Sequence, residues 1–286
     1  MRNRVVILAL LFLVACQLAQ PAQPIKFSGK TAFEHVEAQM KLGPRPTGSA
    51  AWQATGDYII SQLKKYGWTI EEQRFDYRGT AIRNIIGRKG KGPVMILGAH
   101  YDTRRRADRD KVNPTAPVPG ADDGASGVAV LLELAHSLDA SKLKNQVWLA
   151  FFDAEDNGDL DGWEWTVGSR YMAQHLAVKP EVVIVVDMVG DADQQIYYDR
   201  NSNTQWNERI WKTAAQLGYD KYLIPLPKRA MFDDHTPFAQ QGIPAVDIID
   251  FDYPYWHTTA DISDKLSPDS LERVGRTLQV LLEQSP

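Results

Sequence analysis

Residues 94–102 read VMILGAHYD, a short apolar run that ends in a histidine and an aspartate. Two further apolar runs, at residues 147–152 and 182–186, also lead directly into acidic residues, and a fourth, at 245–249, precedes His257. Short runs rich in β-branched residues are typical of buried parallel strands. Ligands of an open α/β sheet bind beyond the carboxyl ends of its strands. We therefore expect these polar side chains to meet at one edge of a sheet.

The spacing of apolar residues elsewhere predicts helices between these strands. Helical periodicity is found at residues 31–42, 49–66, 124–138, 168–176, 207–217 and 268–282. Alternation of strands and helices predicts an α/β fold, with a mostly parallel sheet that helices cover on both faces. Residues 68–77 and 81–88 alternate between polar and apolar in the manner of edge strands, so we place both at the margin of the sheet.

The N-terminus has the composition of a secretion signal. Two arginines precede an apolar run at residues 5–14, which is too short to span a bilayer as a helix. Residues 13–16, LVAC, resemble a bacterial lipobox, whose cysteine becomes lipidated, and plain cleavage near Ala19 or Ala22 is the alternative. Cys16 is the only cysteine in the sequence, which leaves no disulfide and no thiol catalysis for the folded domain.

These features divide the chain into a signal peptide with a lipobox at residues 1–16, a linker at 17–27 and a folded domain at 28–286 that carries the candidate site. We expect an exported protein of the cell envelope or periplasm. Contact with a membrane is expected only through a lipid anchor on Cys16.

The charge pattern argues against nucleic-acid binding. The formal net charge is -4 at pH 7, and the arginine cluster at residues 104–106 is followed at once by Asp108 and Asp110. Such a cluster is typical of a solvated loop and lacks the extended basic face that nucleic acids need. The surrounding loop, residues 103–119, is too long to be a simple connection, which indicates a functional role.

Two acidic segments and one histidine–aspartate pair contain candidate metal ligands. His100 and Asp102 lie two residues apart at a predicted strand end, so their side chains point to the same side of the extended backbone. This arrangement suits a metal ligand and a carboxylate that orients it, although surface turns also contain such pairs. Residues 120–127, GADDGASG, place two aspartates before a helix, where they serve either as a helix cap or as a ligand.

Residues 153–156, DAED, put three carboxylates within four positions at the end of a buried run. Their mutual repulsion is costly unless a cation is bound, and neighbouring side chains of such a segment can face different partners. Asp187 ends the next apolar run in the same way. His257 follows an aromatic stretch at residues 251–256, which is expected to wall a pocket.

In this order the segments resemble the zinc aminopeptidase and glutaminyl cyclase superfamily, from GPRPTGS at residues 43–49 to WHTTAD at 256–261. The resemblance implies a three-layer α/β/α sandwich around a central mixed, mostly parallel sheet, with zinc as the cofactor. It also implies site roles: Asp122, Asp156 and His257 as zinc ligands, with Asp122 bridging two metals in the peptidases, Glu155 as general acid/base, and His100 and Asp187 as ligands of a second zinc where one is present. The aspartate matched to Asp122 commonly precedes a cis peptide bond, so we expect one between Asp122 and Asp123.

Two activities occur in this superfamily, and both act on the N-termini of peptides or proteins. The aminopeptidases use two zinc ions to hydrolyse the first peptide bond. The cyclases use one zinc ion and convert an N-terminal glutamine to pyroglutamate with release of ammonia. The cyclases keep counterparts of His100 and Asp187, so the number of ligands does not decide between the branches.

Other segments favour the cyclase branch. Trp256 before His257 and the double aspartate at residues 233–234 resemble the cyclases. Residues 100–104, the long loop and the GADDGASG segment resemble bacterial glutaminyl-peptide cyclotransferases of the animal type. Asp156 departs from the glutamate that is more common at its position. We therefore predict a one-zinc glutaminyl-peptide cyclotransferase, with a di-zinc aminopeptidase as the alternative. A binding lipoprotein on an inactive hydrolase frame is the non-enzymatic alternative.

The cyclase branch also implies roles for residues that do not bind metal. Glu155 takes a proton from the substrate ammonium and later protonates the leaving ammonia, while Asp187 and Asp233 hold the proton network. Trp256, with Trp163 or Trp165, supplies indoles that contact the substrate; core packing is the alternative for the last two.

Overall fold

The structure, a computed structural model, describes residues 25–284, in which six strands form one mixed sheet and two further strands form a second sheet. The strands are β1 (Thr69–Tyr77), β2 (Thr80–Lys89), β3 (Val94–His100), β4 (Gln146–Phe152), β5 (Val182–Asp187), β6 (Ile196–Tyr198), β7 (Leu223–Pro227) and β8 (Ala245–Ile249). The α-helices are α1 (Gly29–Leu42), α2 (Ala50–Lys65), α3 (Ala125–Ser137), α4 (Val167–Gln174), α5 (Thr204–Gln216), α6 (His235–Gln240) and α7 (Pro268–Gln284).

The strand order is β1-β2-β4-β3-β5-β8, and β6 pairs with β7 in a separate two-stranded sheet. The four apolar runs of the sequence form the parallel strands β4, β3, β5 and β8, as predicted. β1 and β2 add an antiparallel margin. The prediction of an edge position is wrong for β2, which pairs with β1 on one side and β4 on the other and is buried from Ile82 to Gly87.

Helices cover both faces of this sheet, which confirms the three-layer α/β/α sandwich. α1, α2, α3, α5 and α7 form one layer, where Val128 of α3 packs in the same core as Leu97 of β3. α4 and α6 form the other layer, where Phe238 of α6 packs in a core with Ile96. Ile96 and Leu97 are adjacent in sequence and serve opposite cores because successive side chains of a strand alternate between its faces.

The folded domain begins before the predicted boundary at residue 28. Phe27, the last residue of the predicted linker, is 1% exposed, and its backbone N–H donates a hydrogen bond of 2.9 Å to Gln279 Oε1 of α7. The linker therefore ends before Phe27, because this ring belongs to the hydrophobic core. The predicted signal peptide and lipobox, with Cys16, lie outside the described residues. Within residues 25–284, no helix is long and apolar enough to cross a membrane.

Candidate metal centre and active site

The carboxyl ends of β3, β4 and β5 bring most of the predicted ligands to one edge of the sheet. Asp123, Asp156 and His257, here called the His257 group, have ligand atoms that lie within 4.8 Å of one another. His100, Asp123 and Asp187, the His100 group, meet the same criterion, so Asp123 belongs to both. In the described part of the chain, the Oδ2 atoms of Asp123 and Asp156 are buried without a hydrogen-bond partner. Carboxylate and imidazole are zinc ligands, and a cation would compensate these buried oxygens, so the residues fit a zinc ion.

Asp122 lies outside both groups, so the prediction that it is the bridging ligand is corrected to Asp123. The Oδ1 atom of Asp122 instead accepts a hydrogen bond of 2.7 Å from the backbone N–H of Gly190. Asp261 fixes the register, because its carboxylate accepts the N–H groups of Asp122 at 2.8 Å and of Asp123 at 3.2 Å. The peptide bond between the two aspartates is trans, so the expected cis bond is not found.

The glycines around Asp123 allow the ligand loop to lie close to the strands. Gly124 has φ of 96°, in the region that favours glycine, and a Cβ there would lie 3.1 Å from His100 Cε1. A Cβ on Gly127 would lie 2.1 Å from the carbonyl oxygen of Val186. The glycine-rich sequence therefore serves the approach of this loop and of α3 to β3 and β5.

Three non-glycine residues of the site have left-handed backbone conformations. Ala154 has φ of 55°, Met188 of 44° and His257 of 58°. Ala154 precedes Glu155, Met188 follows Asp187, and His257 is itself a candidate ligand. Such conformations are unfavourable for L-residues and persist where the surrounding structure holds them, often at functional sites.

The two histidines have opposite electrostatic environments. His257 Nε2 lies 3.1 Å from Asp156 Oδ1 and 3.7 Å from Asp123 Oδ2, and burial lowers the pKa of His257 to about 4 although Asp123 opposes this. His100 Nε2 lies 3.1 Å from Asp187 Oδ1 and 3.2 Å from Asp123 Oδ1. Burial alone would lower the pKa of His100, but the surrounding carboxylates, led by Asp187, raise it well above its usual value. In the absence of metal, burial therefore favours the neutral form of His257, which is the form that binds metal, whereas the carboxylates favour the charged form of His100.

Glu155 is 8% exposed and lines the cavity beside the His257 group. Burial raises the pKa of Glu155 well above its usual value, His100 opposes this, and the charges of Asp156 and Asp233 add to it. Burial, followed by the charge of Asp187, raises the pKa of Asp233 to about 6. A carboxyl group whose proton is held near neutral pH is suited to act as a general acid and base.

Asp102 holds the loop that follows β4. Its carboxylate accepts the backbone N–H groups of Glu155 at 3.1 Å and of Asp156 at 3.3 Å. Its Oδ1 atom also lies 3.6 Å from His100 Nδ1. Asp102 thus positions two site residues through their main chain, whereas 3.6 Å is too long for a hydrogen bond to His100, and its orienting role toward that ring stays a prediction.

The segment at residues 43–49 supports the site from behind, a role that sequence reasoning missed. Arg45 is fully buried and donates to main-chain carbonyl groups, at 3.3 Å to Tyr101 and 2.6 Å to Gly120. Thr47 Oγ1 donates to Asp153 Oδ1 at 3.0 Å, so the first carboxylate of the DAED segment has a structural hydrogen bond. A polar residue within a turn gives no sign in the sequence that it will be buried.

The sequence suggested that Arg104 lies in a solvated loop, but the structure places it at the site. Its side chain is 2% exposed, and it donates hydrogen bonds of 2.7 and 2.8 Å to the two carboxylate oxygens of Asp108. Its Nη1 atom lies 3.4 Å from Asp156 Oδ1, and Asp108 Oδ1 lies 3.3 Å from His257 Nδ1. One buried cation thus supports two members of the His257 group, and the only sequence signal for it was the length of the loop at residues 103–119.

A cavity of about 200 Å³ adjoins the His257 group. Its aromatic lining consists of Trp165, Phe232, Phe251 and Trp256. The Trp165 ring is nearly parallel to the His257 ring, with centroids 6.0 Å apart, and the Trp256 ring lies 3.8 Å from the same imidazole. Trp163 is outside this lining and packs with Ile82 and Val167, so substrate contact is the wrong prediction for it. Asp187 and Asp233 line the cavity.

The chain is similar in sequence and fold to glutaminyl cyclases and zinc-dependent exopeptidases. The crystal structure of Porphyromonas gingivalis glutaminyl cyclase is 34% identical, covers 92% of this chain and 100% of that chain, and superposes with a TM-score of 0.86. A leucine aminopeptidase precursor from Bacteroides thetaiotaomicron is 30% identical over 92% of this chain and 99% of that chain, with a TM-score of 0.85. A mouse (Mus musculus) glutaminyl-peptide cyclotransferase-like protein is 27% identical over 284 residues, 84% of this chain and 72% of the relative. The sequence model of peptidase family M28 matches residues 84–282, and the chain belongs to that family.

Proposed function

We propose that the protein is a zinc-dependent glutaminyl-peptide cyclotransferase, which converts the N-terminal glutamine of peptides to pyroglutamate. The observation that carries this proposal is the cavity beside the His257 group. Among the described residues, those that line it include the indoles of Trp165 and Trp256 but no lysine or arginine, and its charged groups are mainly carboxylates. Such a pocket suits a substrate with an α-ammonium group and an uncharged amide side chain.

Asp123, Asp156 and His257 are the residues that would hold the zinc ion. Zinc bound by this group would act as a Lewis acid on the carbonyl oxygen of the substrate γ-amide. The indoles of Trp165 and Trp256, which both lie against the His257 ring, would contact the amide side chain beside these ligands.

Glu155 is the candidate for both proton transfers. It takes a proton from the α-ammonium group, so the free amine can form a bond to the γ-carbonyl carbon. The attacking nitrogen passes its second proton to the carboxylates of Asp187 and Asp233, the bond between that carbon and the amide nitrogen breaks, and Glu155 gives its proton to the departing ammonia. Asp187 and Asp233 line the same cavity, and the charge of Asp233 adds to the raised pKa of Glu155. Cyclisation consumes no water nucleophile, whereas the aminopeptidase reaction does.

A di-zinc aminopeptidase is the second candidate, and the His100 group supports it. Its atoms meet the same distance criterion as the His257 group and share Asp123, as two adjacent metals with a common carboxylate would require. The resemblance to a leucine aminopeptidase precursor is nearly as great as that to the glutaminyl cyclase.

A mass-spectrometric assay tests the proposal. Zinc-loaded protein is incubated with Gln-Ala-Ala-amide and, separately, with Leu-Ala-Ala-amide. We expect the first peptide to lose the mass of one ammonia molecule and the second to stay intact. Release of free glutamine or leucine would show the aminopeptidase instead, and zinc and peptide binding without any product would indicate a binding protein.

The variant Glu155→Gln provides the matched control. It removes the proton carrier while keeping a side chain of similar shape, so we expect the rate to fall about 10²- to 10⁴-fold. The bound zinc, measured by atomic absorption, should stay unchanged because Glu155 belongs to neither ligand group.

A further inference from the structure

Three arginines lie over aromatic residues that line the cavity. Arg104 lies 4.8 Å from the Trp165 ring centre, Arg109 lies 5.1 Å from Trp256, and Arg229 lies 5.4 Å from Phe251. Two of these cations have a carboxylate partner. Arg104 pairs with Asp108 at 2.7 Å, and Arg229 pairs with Asp252 at 2.7 Å. Within residues 25–284, Arg109 has no ion pair at a distance of 4.0 Å or less.

The carboxylates next to Arg109 in sequence are engaged elsewhere. Both carboxylate oxygens of Asp108 accept hydrogen bonds from Arg104, through its Nε and Nη2 atoms. Asp110 accepts hydrogen bonds from the hydroxyl and backbone N–H groups of Thr259 and from the backbone of Val112. The cation on Arg109 therefore remains available although acidic residues flank it on both sides.

The backbone that carries Arg109 is fastened to the loop that carries Trp256. The N–H group of Arg109 donates to the carbonyl oxygen of His257 at 3.3 Å. One residue further on, Asp110 accepts the N–H group of Thr259 at 2.9 Å. These contacts fix the main chain of Arg109, and its exposed guanidinium lies over Trp256 at the aromatic rim of the cavity.

We propose that Arg109 forms a carboxylate-binding subsite for the part of the peptide that follows its N-terminal residue. This inference rests on the proposed function, because a peptide with its first residue in the cavity must leave across the rim. The planar guanidinium is suited to bind a carboxylate through two parallel hydrogen bonds. The carboxylate is either the side chain of a downstream acidic residue or the α-carboxylate of a short peptide. The preferred substrates are therefore peptides with negative charge close to the N-terminus.

Three tripeptides of equal length test this subsite: Gln-Ala-Gln-amide, Gln-Ala-Glu-amide and Gln-Ala-Gln with a free carboxyl terminus. We measure kcat/KM with the zinc-loaded protein, and dissociation constants by calorimetry with Glu155→Gln. At low salt, we expect at least one peptide with a carboxylate to be favoured about threefold to fivefold over the neutral peptide, as for an exposed charge pair. The preferred peptide identifies the source of the carboxylate, and the preference should shrink as salt is raised.

Arg109→Gln should abolish this preference in both measurements, while Arg229→Gln should retain it, because Arg229 already has Asp252 as a partner. Equal affinity for all three peptides, or a preference that survives Arg109→Gln, would overturn the proposal. Loss of the preference in both variants would show a general effect of surface charge and would also overturn it. If no peptide is cyclised but the preference appears in the dissociation constants, the proposed reaction fails and the subsite stands.

Discussion

The two histidine groups that meet at Asp123 are held in place by different means. His100 and Asp187 end β3 and β5, two strands that pair directly, so the sheet itself sets their distance. Asp156 and His257 lie in loops, where Arg104 and its partner Asp108 support them through side chains. All three members of the His257 group line the cavity, whereas His100 lies outside its lining. The sheet therefore fixes one group of candidate ligands, and the loops place the other group beside the cavity.

Exchange of the shared carboxylate should have the largest effect on this pair of groups. Asp123→Asn removes a charged ligand from both, so we expect loss of bound zinc and a fall in activity of about 10³-fold, since the metal contributes several kcal/mol to catalysis. Asp122→Asn is the matched control and should retain zinc, because that side chain contacts Gly190. Zinc retained in Asp123→Asn and lost in Asp122→Asn would restore the assignment made from the sequence.

Removal of each histidine separates the two groups. His257→Ala should lose its zinc at micromolar concentrations of free metal, because only two carboxylates of that group remain. His100→Ala should retain one zinc ion per chain, because the His257 group is intact. Atomic absorption after gel filtration measures both. Equal loss of zinc from the two variants would mean that the groups act as one site with two metals.

Replacement of the buried Arg104 should have a smaller effect, which is confined to the His257 group. Arg104→Gln removes the support of Asp108 and Asp156, and we expect zinc affinity to fall about tenfold, as for other residues that orient metal ligands. Arg105→Gln is the control, because Arg105 contacts Asn157 and Asp161 and no ligand. Competition with a fluorescent chelator gives both affinities, and an unchanged value for Arg104→Gln would contradict the supporting role.

The fold and the location of the site could be predicted from the sequence because both follow from local patterns. Apolar runs define the parallel strands, and acidic residues at their ends mark the edge where ligands bind. The identity of the bridging aspartate could not be predicted in this way. The choice between Asp122 and Asp123 depends on Asp261, about 140 residues away, which fixes the main chain of both.

The burial of individual polar and aromatic residues also could not be predicted from the sequence. Arg104 stands beside two arginines in a polar loop, and only the folded chain brings it to Asp156. Trp163 and Trp165 lie in one segment and have equal aromatic character. The structure separates them because the first faces the cluster around Ile82 and the second faces His257. Long-range packing decides such cases, and a single sequence does not contain it.

A difference in titration between the two histidines is the smallest effect and applies to the metal-free protein. Burial lowers the pKa of His257 to about 4, so this ring stays neutral while an unfolded histidine with a pKa of 6.5 becomes protonated. Its contribution to stability is present above pH 6.5 and is lost as the pH falls toward 4. The pKa of His100 lies well above 6.5, so its contribution is present below pH 6.5 and is lost as the pH rises through the folded pKa.

Nitrogen chemical shifts of the metal-free protein measure this difference directly, with His100→Gln and His257→Gln to assign the two rings. We expect His257 to be neutral and His100 protonated at pH 6. Titration of both rings near 6.5 would contradict the contrast between the two groups.

Anomalous X-ray diffraction at the zinc edge, on crystals grown with one equivalent of zinc, tests the site assignment most directly. We expect one strong peak within coordination distance of Asp123, Asp156 and His257. A peak beside Asp122, or equal occupation of the His100 group, would contradict it.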